Sequence, residues 1–271
     1  MDLNLKGKVV VITGGATGIG RAAAIEFLHE GAQVAILGRR LEPLKAFHDE
    51  MAQEHYDIYY ESCDVSKPDD VKAYAQRVQQ HFGSLDVWIN NAGISIDKPF
   101  LSFTDEDWNK IVSINLKAVF DATQIAARLM IDQGTGGVIL NASSFCAKIP
   151  HANGVLYAAT KAAVSNMTKS TAAALAPYGI RVVGYIPGMI VTPISERMIA
   201  QYRDKFTKDI ALGRLGHPED LAKPIVFLAS DAAGYITGID LEISGGKFTV
   251  QDCDMPRRFR AQEEQQANQN S

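Results

Sequence analysis

The sequence predicts an α/β fold: a doubly wound parallel sheet with helices on both faces, closed around one core. Three observations predict it. Short, continuous apolar runs recur along the chain. Stretches with apolar residues three and four apart separate them, and no linker or internal repeat divides the 271 residues. Alternating strands and helices imply βαβ units, whose right-handed crossovers place helices on both faces of the sheet. A single α/β domain of roughly 250 residues is routine, so the expected division is one domain over 1–250 and a polar tail over 251–271.

The first strand is read from Lys8-Val9-Val10-Val11-Ile12-Thr13, a run without polar alternation, as expected for a strand buried on both faces. Similar runs occur at 34–37, 58–60, 87–89, 138–140, 182–186 and 239–243. Between them, Val71, Tyr74, Ala75, Val78 and Phe82 form one helical stripe, and Trp108, Val112, Asn115, Val119, Ala122 and Ala126 another. The chain closes on Arg257-Arg258-Phe259-Arg260 and a Gln/Asn/Glu-rich stretch without an apolar stripe. Two readings fit that stretch: a frayed polar terminus, or a segment wrapping onto a neighbouring subunit.

A formal net charge of −4, with 21% charged residues and no block of like charge, offers nucleic acid no electrostatic footing. Met1-Asp2-Leu3-Asn4-Leu5-Lys6 leads straight into the first strand without a signal-peptide pattern. No run reaches the roughly 18 apolar residues of a membrane span. The expectation is a cytoplasmic protein with no membrane partner. Cys63, Cys146 and Cys253 are odd in number, widely spaced and outside any CxxC pair. They read as free thiols, with no metal site.

After the first strand comes Thr13-Gly14-Gly15-Ala16-Thr17-Gly18-Ile19-Gly20, and a helix follows from Arg21. A strand, a glycine turn and a helix start make an anion site, because the helix dipole favours a phosphate and absent side chains let it approach. The same glycines could serve only a structural turn, but their context favours a Rossmann-type dinucleotide site with Gly14, Thr17, Gly18, Ile19 and Gly20 as contacts. Such sites usually end the second strand on a carboxylate that bonds the ribose hydroxyls. Here that strand ends Gly38-Arg39-Arg40. A guanidinium suits a 2′-phosphate, so Arg39, with Arg40, points to NADP(H) over NAD(H). The competing reading is a solvated arginine at a helix start.

Ligands of open parallel sheets bind beyond the carboxyl ends of the strands. Thr13, Arg39, Asp64, Asn90 and Asn91, Ser143 and Ser144, and Pro187-Gly188 all fall there, although each residue type also caps helices or fixes turns. Asn115 lies on an apolar stripe, where a buried amide needs hydrogen-bond partners. It is either part of a site or a tie to a neighbouring loop. Tyr157 and Lys161 are four residues apart in a helix rich in small residues, which puts them on one face. An ammonium beside a phenol lowers its pKa from about 10 and suits it to general acid–base work. A solvated pair has the same spacing, but the serine-ended strand before this helix favours the catalytic reading.

Taken together, the 14–20 turn, Asp64-Val65, Asn90-Asn91-Ala92-Gly93, Asn115, Ser144, Tyr157 with Lys161, Pro187-Gly188 with Thr192, and the 213–220 segment Gly-Arg-Leu-Gly-His-Pro-Glu-Asp resemble the short-chain dehydrogenase/reductase family over residues 6–248. The resemblance implies one dinucleotide-binding and catalytic domain acting on CH–OH or C=O groups. Tyr157 would exchange the proton, Ser144 would bond the substrate oxygen, and Lys161 would lower the tyrosine pKa and hold the nicotinamide ribose. Asn115 would position a relay water. Asp64 and Val65 would contact the adenine, and Asn90, Asn91, Ala92, Gly93, Pro187, Gly188, Ile190 and Thr192 would line the cofactor. It also implies a homotetramer or homodimer built through the helices carrying Asn115 and Tyr157. Two departures stand out: Val183 occupies a position where the family usually has Asn, and Thr17 replaces a basic residue found in some NADP-dependent members.

Substrate choice should lie in 145–151 and 190–206. Ile190, Val191, Ile194, Met198 and Ile199 make the second segment either an apolar lid or the inner face of a helix. His151 invites a catalytic role, although a loop histidine without a placed partner is more often structural. The favoured substrate is a secondary alcohol or ketone, hydroxysteroid-like or similarly hydrophobic. A 3-oxoacyl-carrier-protein reductase and a sugar or polyol dehydrogenase are the alternatives. The segment Asp132-Gln133-Gly134-Thr135-Gly136-Gly137 lacks the basic docking patch an acidic carrier protein would want. A catalytically silent nucleotide-binding regulator is a further alternative, against which the presence of both Tyr157 and Lys161 speaks.

Overall fold

Seven strands lie side by side in the order β3-β2-β1-β4-β5-β6-β7, every neighbouring pair parallel. They are β1 (Val9–Thr13), β2 (Gln33–Gly38), β3 (Ile58–Ser62), β4 (Val87–Asn90), β5 (Gly137–Ala142), β6 (Ile180–Pro187) and β7 (Asp240–Ile243). Each falls on one of the seven apolar runs, so the doubly wound parallel sheet read from the sequence is the fold. The computed structural model describes residues 2–247 and 249–269. Met1, Phe248, Asn270 and Ser271, which the expected limits 1–250 and 251–271 include, lie outside the described residues.

Strand β1 shows why the runs are continuous. Val10 and Ile12 enter one core layer with α1 (Gly18–His29), α2 (Leu41–Gln53) and α8 (Pro218–Ala229), while Val9 and Val11 enter the opposite layer with α3 (Pro68–Phe82), α5 (Ala118–Gln133) and α6 (Val155–Leu175). Alternate side chains of a strand face opposite ways, so a sheet covered on both faces needs apolar residues at successive positions. Val183 belongs to the first layer and is fully buried. From β1 the sheet grows outward to β3 and then restarts at β4 on the other side of β1. That reversal opens a crevice at the carboxyl edge.

Two elements differ from the expected pattern. The stripe from Trp108 to Ala126 is not one helix: α4 (Asp105–Val112) passes through a π-helical turn, Ser113–Lys117, before α5. A wider turn resets the helical phase, so Trp108 is 54% exposed while Asn115 is wholly buried. The segment read as a frayed polar terminus contains a helix, α9 (Met255–Gln269). Its anchor is Arg257, which donates to the carbonyls of Ile210 (3.1 Å) and Ala211 (2.9 Å) and pairs with Asp254 at 3.1 Å. A guanidinium that satisfies several carbonyls needs no apolar stripe, which is why hydropathy gave no sign of it. The three cysteines are free and buried.

Beneath the carboxyl edge a buried polar chain ties β4 and β5 to the helices behind them. Asn90 accepts from Trp88 Nε1 (2.8 Å) and donates to Asn141 Oδ1 (2.9 Å) and Thr123 Oγ1 (3.1 Å), and Asn141 donates to Thr168 Oγ1 (3.0 Å). Replacing Asn90 with alanine strands Trp88 Nε1 and Asn141 Oδ1. The expected cost is about 1–3 kcal/mol, read as a lower urea midpoint with an unchanged m-value.

Candidate active site

The glycine turn is shaped by positions where a side chain would not fit. Gly14 and Gly18 sit at φ +66° and +54°, the left-handed region that favours glycine. A Cβ on Gly20 would stand 2.5 Å from Gly14 O and 2.6 Å from Asn91 Nδ2, so Gly20 lets α1 pack beneath the turn. It does not line the cleft, as the sequence reading expected of it. Helix α1 starts after Thr17 with no side-chain cap and no carboxylate in its first turn. Its positive end is therefore left for an external anion. Arg39 and Arg40 are exposed at the rim, and among the described residues neither guanidinium is paired with a carboxylate.

Asp64 follows β3 at the same end of the cleft. Partial burial would raise its pKa, but hydrogen bonds from Ser66 N (3.0 Å) and Ser66 Oγ (2.8 Å), with the charge of Arg39, hold the carboxyl below its ordinary value. Val65 lies beside it. In the centre, Thr13 Oγ1 accepts from both Asn91 N and Ala92 N at 2.9 Å. Asn91 Nδ2 donates to the carbonyls of Thr13 (3.1 Å) and Gly14 (3.3 Å), and Tyr185 donates to Asn91 Oδ1 (3.1 Å). Asn91, Ala92 and Gly93 thus form part of the wall. Asn90, expected there too, points instead into the buried chain beneath.

At the other end, β5 delivers Ser144, and α6 delivers Tyr157 and Lys161 to the same cleft. Ser144 Oγ accepts from Cys146 N (3.2 Å). Lys161 Nζ donates to Ala142 O (2.7 Å) and lies 5.8 Å from the centre of the Tyr157 ring. In the free chain the phenol is set by its surroundings other than Lys161. Burial pushes the Tyr157 phenol up to about 12 against the lowering effect of the Ser144 hydrogen bond, with the nearby Cys146 and Asp97 adding to the rise. Burial also pulls Lys161 down to about 8.

Asn115 sits behind the cleft wall: its Oδ1 accepts from Ile94 N (2.9 Å) and its Nδ2 donates to Ile94 O (2.8 Å), so it ties the π turn to the loop after β4. Bare Gly93 backbone separates it from the lysine: a Cβ there would lie 3.5 Å from Asn115 Oδ1 and 3.6 Å from Lys161 Nζ.

One cleft of about 620 Å³ joins these groups. The loop after β6 folds over it: Pro187, Gly188, Ile190 and Thr192 line it, and Thr192 Cγ2 would be 3.3 Å from a Cβ on Gly18. The side chains of the 190–206 segment divide between a core and the cleft. Ile199 is buried in a small core with Met189, Ile210 and Leu215, while Ile194 and Met198, the latter in α7 (Glu196–Lys208), face the cleft. The 213–220 motif holds the base of this loop. Gly216 bridges to Ile190, and the Asp220 carboxylate accepts from His217 N (2.8 Å) and from Arg214 at 2.7 Å twice. Sequence reasoning missed Ile94, Ser95 and Met189 as wall residues. They carry no motif, and only the direction in which two loops leave the sheet brings them in.

A family model described as short chain dehydrogenase matches residues 8–203. The chain belongs to the short-chain dehydrogenase family. Over 90% of its length it is 38% identical to the L-rhamnose-1-dehydrogenase of Scheffersomyces stipitis (97% of that protein), the 3-oxoacyl-[acyl-carrier-protein] reductase of Thermotoga maritima (99%) and the 3alpha-hydroxysteroid dehydrogenase of Mediterraneibacter gnavus (98%). A solved short-chain type dehydrogenase/reductase from Mycobacterium marinum superposes with a TM-score of 0.88 at 37% identity, covering 92% of this chain and 98% of that one. This short-chain dehydrogenase is therefore an oxidoreductase of a family that works with a nicotinamide cofactor. Among the described residues no helix is long and apolar enough to cross a membrane, and no three His, Cys, Asp or Glu side chains are grouped to hold a metal.

The lysine of the short-chain dehydrogenase site has a stability signature. Its folded pKa of about 8 lies below the ordinary 10.5, so between those values the unfolded chain binds the extra proton and stability rises with pH. Relative to Lys161→Met, the wild type should gain unfolding free energy from pH 8 to pH 10.5 and lose it as pH falls through about 8. Paired urea titrations across that window check the sign.

Proposed function

We propose that the chain transfers hydride between NADP(H) and a secondary alcohol or ketone, with Tyr157 exchanging the proton. The observation that carries this reading is a single cleft with Ser144, Tyr157 and Lys161 at one end and unpaired Arg39 at the other. The residues fit the cofactor: left-handed glycines leave bare backbone at the turn, the α1 terminus is uncapped, and β2 is followed by arginines where NAD sites usually carry a carboxylate. Arg39, with Arg40, would hold the 2′-phosphate. Gly14, Thr17, Gly18 and Ile19 would face the pyrophosphate, Asp64 and Val65 the adenine end, and Asn91, Ala92, Gly93, Pro187, Gly188, Ile190 and Thr192 the remaining length.

The bound nicotinamide supplies or accepts the hydride. The chain does the rest. A phenol held protonated by burial is ready to give its proton to a carbonyl oxygen in reduction. In oxidation the same group must first lose its proton, so that direction should speed up with rising pH. Ser144 bonds the reacting oxygen, and Lys161 holds the ribose beside the tyrosine. Asn115 positions Gly93 and the π turn against Lys161.

The three relatives are named for a sugar, a carrier-bound acyl chain and a steroid at equal identity, so likeness does not choose among them. The wall at the Tyr157 end does more: Phe145, Cys146, Met189, Ile194 and Met198 suit an apolar body. The loop before β5, weighed against a carrier protein, lies at the amino edge of the sheet, opposite the cleft, and has no bearing on docking. The assembly that fits the family is a homotetramer or homodimer through α5 and α6, whose neighbourhood leaves Trp108 and Phe120 exposed. Light scattering at several concentrations decides between those states.

With NADPH and a ketone panel, Tyr157→Phe should lower kcat by about 10²- to 10⁴-fold and leave NADPH binding measurable by fluorescence. Turnover of no ketone or alcohol by the wild type, with NADPH still bound, would favour the silent regulator. Arg39→Asp should reverse the cofactor preference, and an unchanged NADPH/NADH ratio of kcat/KM would remove Arg39 as its determinant.

A further inference from the structure

We propose that Asp97 and His151 form a second recognition point for the substrate, selecting a neutral molecule that carries a hydroxyl away from the reacting carbon. This rests on the oxidoreductase reading above and narrows its substrate class. His151 lines the cleft together with Ser144 and Tyr157, and its Nε2 lies 3.5 Å from Asp97 Oδ1. Each side chain keeps about a third of its surface open, at 35% and 38%.

The pair joins two loops that leave neighbouring strands. Asp97 follows β4 and His151 follows β5, and Lys98 N donates to Asn153 O (2.9 Å) between them. Lys98, the cation adjacent to Asp97, is turned away to the Asp107 carboxylate at 2.6 and 2.8 Å. Gly154 makes room for the imidazole, since a Cβ there would collide with the ring. Through His151 the pair opens on the same cleft as Ser144 and Tyr157.

An imidazole beside a carboxylate offers a donor and an acceptor together. A hydroxyl, which donates and accepts, can satisfy both. An anionic group would meet the Asp97 charge, and a bare hydrocarbon would desolvate the pair without repaying it. The neighbouring wall, with Phe145, Ile194 and Met198, supplies apolar contact for the rest of the molecule. Hydroxylated alicyclic ketones meet both demands, and a plain acyl chain does not.

The test uses ketone pairs with NADPH and the whole protein: a cyclohexanone with a hydroxyl opposite the carbonyl against its methyl counterpart, and a steroid ketone with and without a ring hydroxyl. The wild type should prefer the hydroxylated member by about tenfold or more in kcat/KM, the size of one charge-assisted hydrogen bond. In His151→Ala and in Asp97→Asn that ratio should collapse toward one, the loss falling on the hydroxylated member, while His151→Gln should keep part of it. Asp97→Asn keeps the side-chain volume and guards against a folding artefact, and NADPH affinity reports an intact cofactor end. A wild type without the preference, or one whose preference survives both variants, overturns the inference and leaves the oxidoreductase reading standing. If no member of either pair is turned over while NADPH binds, the inference falls, and the oxidoreductase reading is decided by the wider ketone and alcohol panel.

Discussion

The clamp between Thr13 and Asn91 holds the two halves of the sheet in register at the point where the strand order reverses. One threonine oxygen accepts from Asn91 N and Ala92 N, and the Asn91 amide returns two bonds to the carbonyls of Thr13 and Gly14. Backbone groups at the ends of strands need partners when water is excluded, and here they find them across the crevice. The glycine turn, the β4 loop and α1 are all placed by that exchange. Gly20 belongs to the same arrangement, because any side chain there would press on Gly14 O and Asn91 Nδ2.

A second constraint comes from burial at the opposite end of the cleft. Lys161 is buried and spends one hydrogen bond on Ala142 O, so its ammonium is oriented by β5 rather than by the tyrosine. Desolvation penalises the phenolate of half-buried Tyr157 and the buried Lys161 ammonium alike, which moves the two groups in opposite directions: Tyr157 up to about 12 and Lys161 down to about 8. The free chain therefore carries Tyr157 as the protonated phenol at neutral pH.

Legibility in the sequence followed the range of the interaction. Strand positions were readable because burial on both faces leaves an uninterrupted apolar run, a purely local signal. The glycine turn and the Tyr157–Lys161 spacing were readable for the same reason, since their geometry is set within eight residues. Asn90 and Asn91 are adjacent and chemically identical, yet one faces the cleft and the other the interior. Alternation along a strand end separates them, and no composition rule does. Asn115 was marked as a buried amide needing partners, and it has them, but the π turn that aims it at Ile94 left no periodic trace.

What the sequence by itself determined was the sheet, its winding, the family, and the residue types gathered at the carboxyl edge, because all of these rest on local periodicity and short motifs. The tertiary structure alone decided which of those residues face the cleft, that desolvation raises the free tyrosine, that Arg257 secures a terminal helix, and that Asp97 meets His151. Those outcomes depend on contacts between segments tens to hundreds of residues apart, where direction and desolvation, rather than residue type, set the energy.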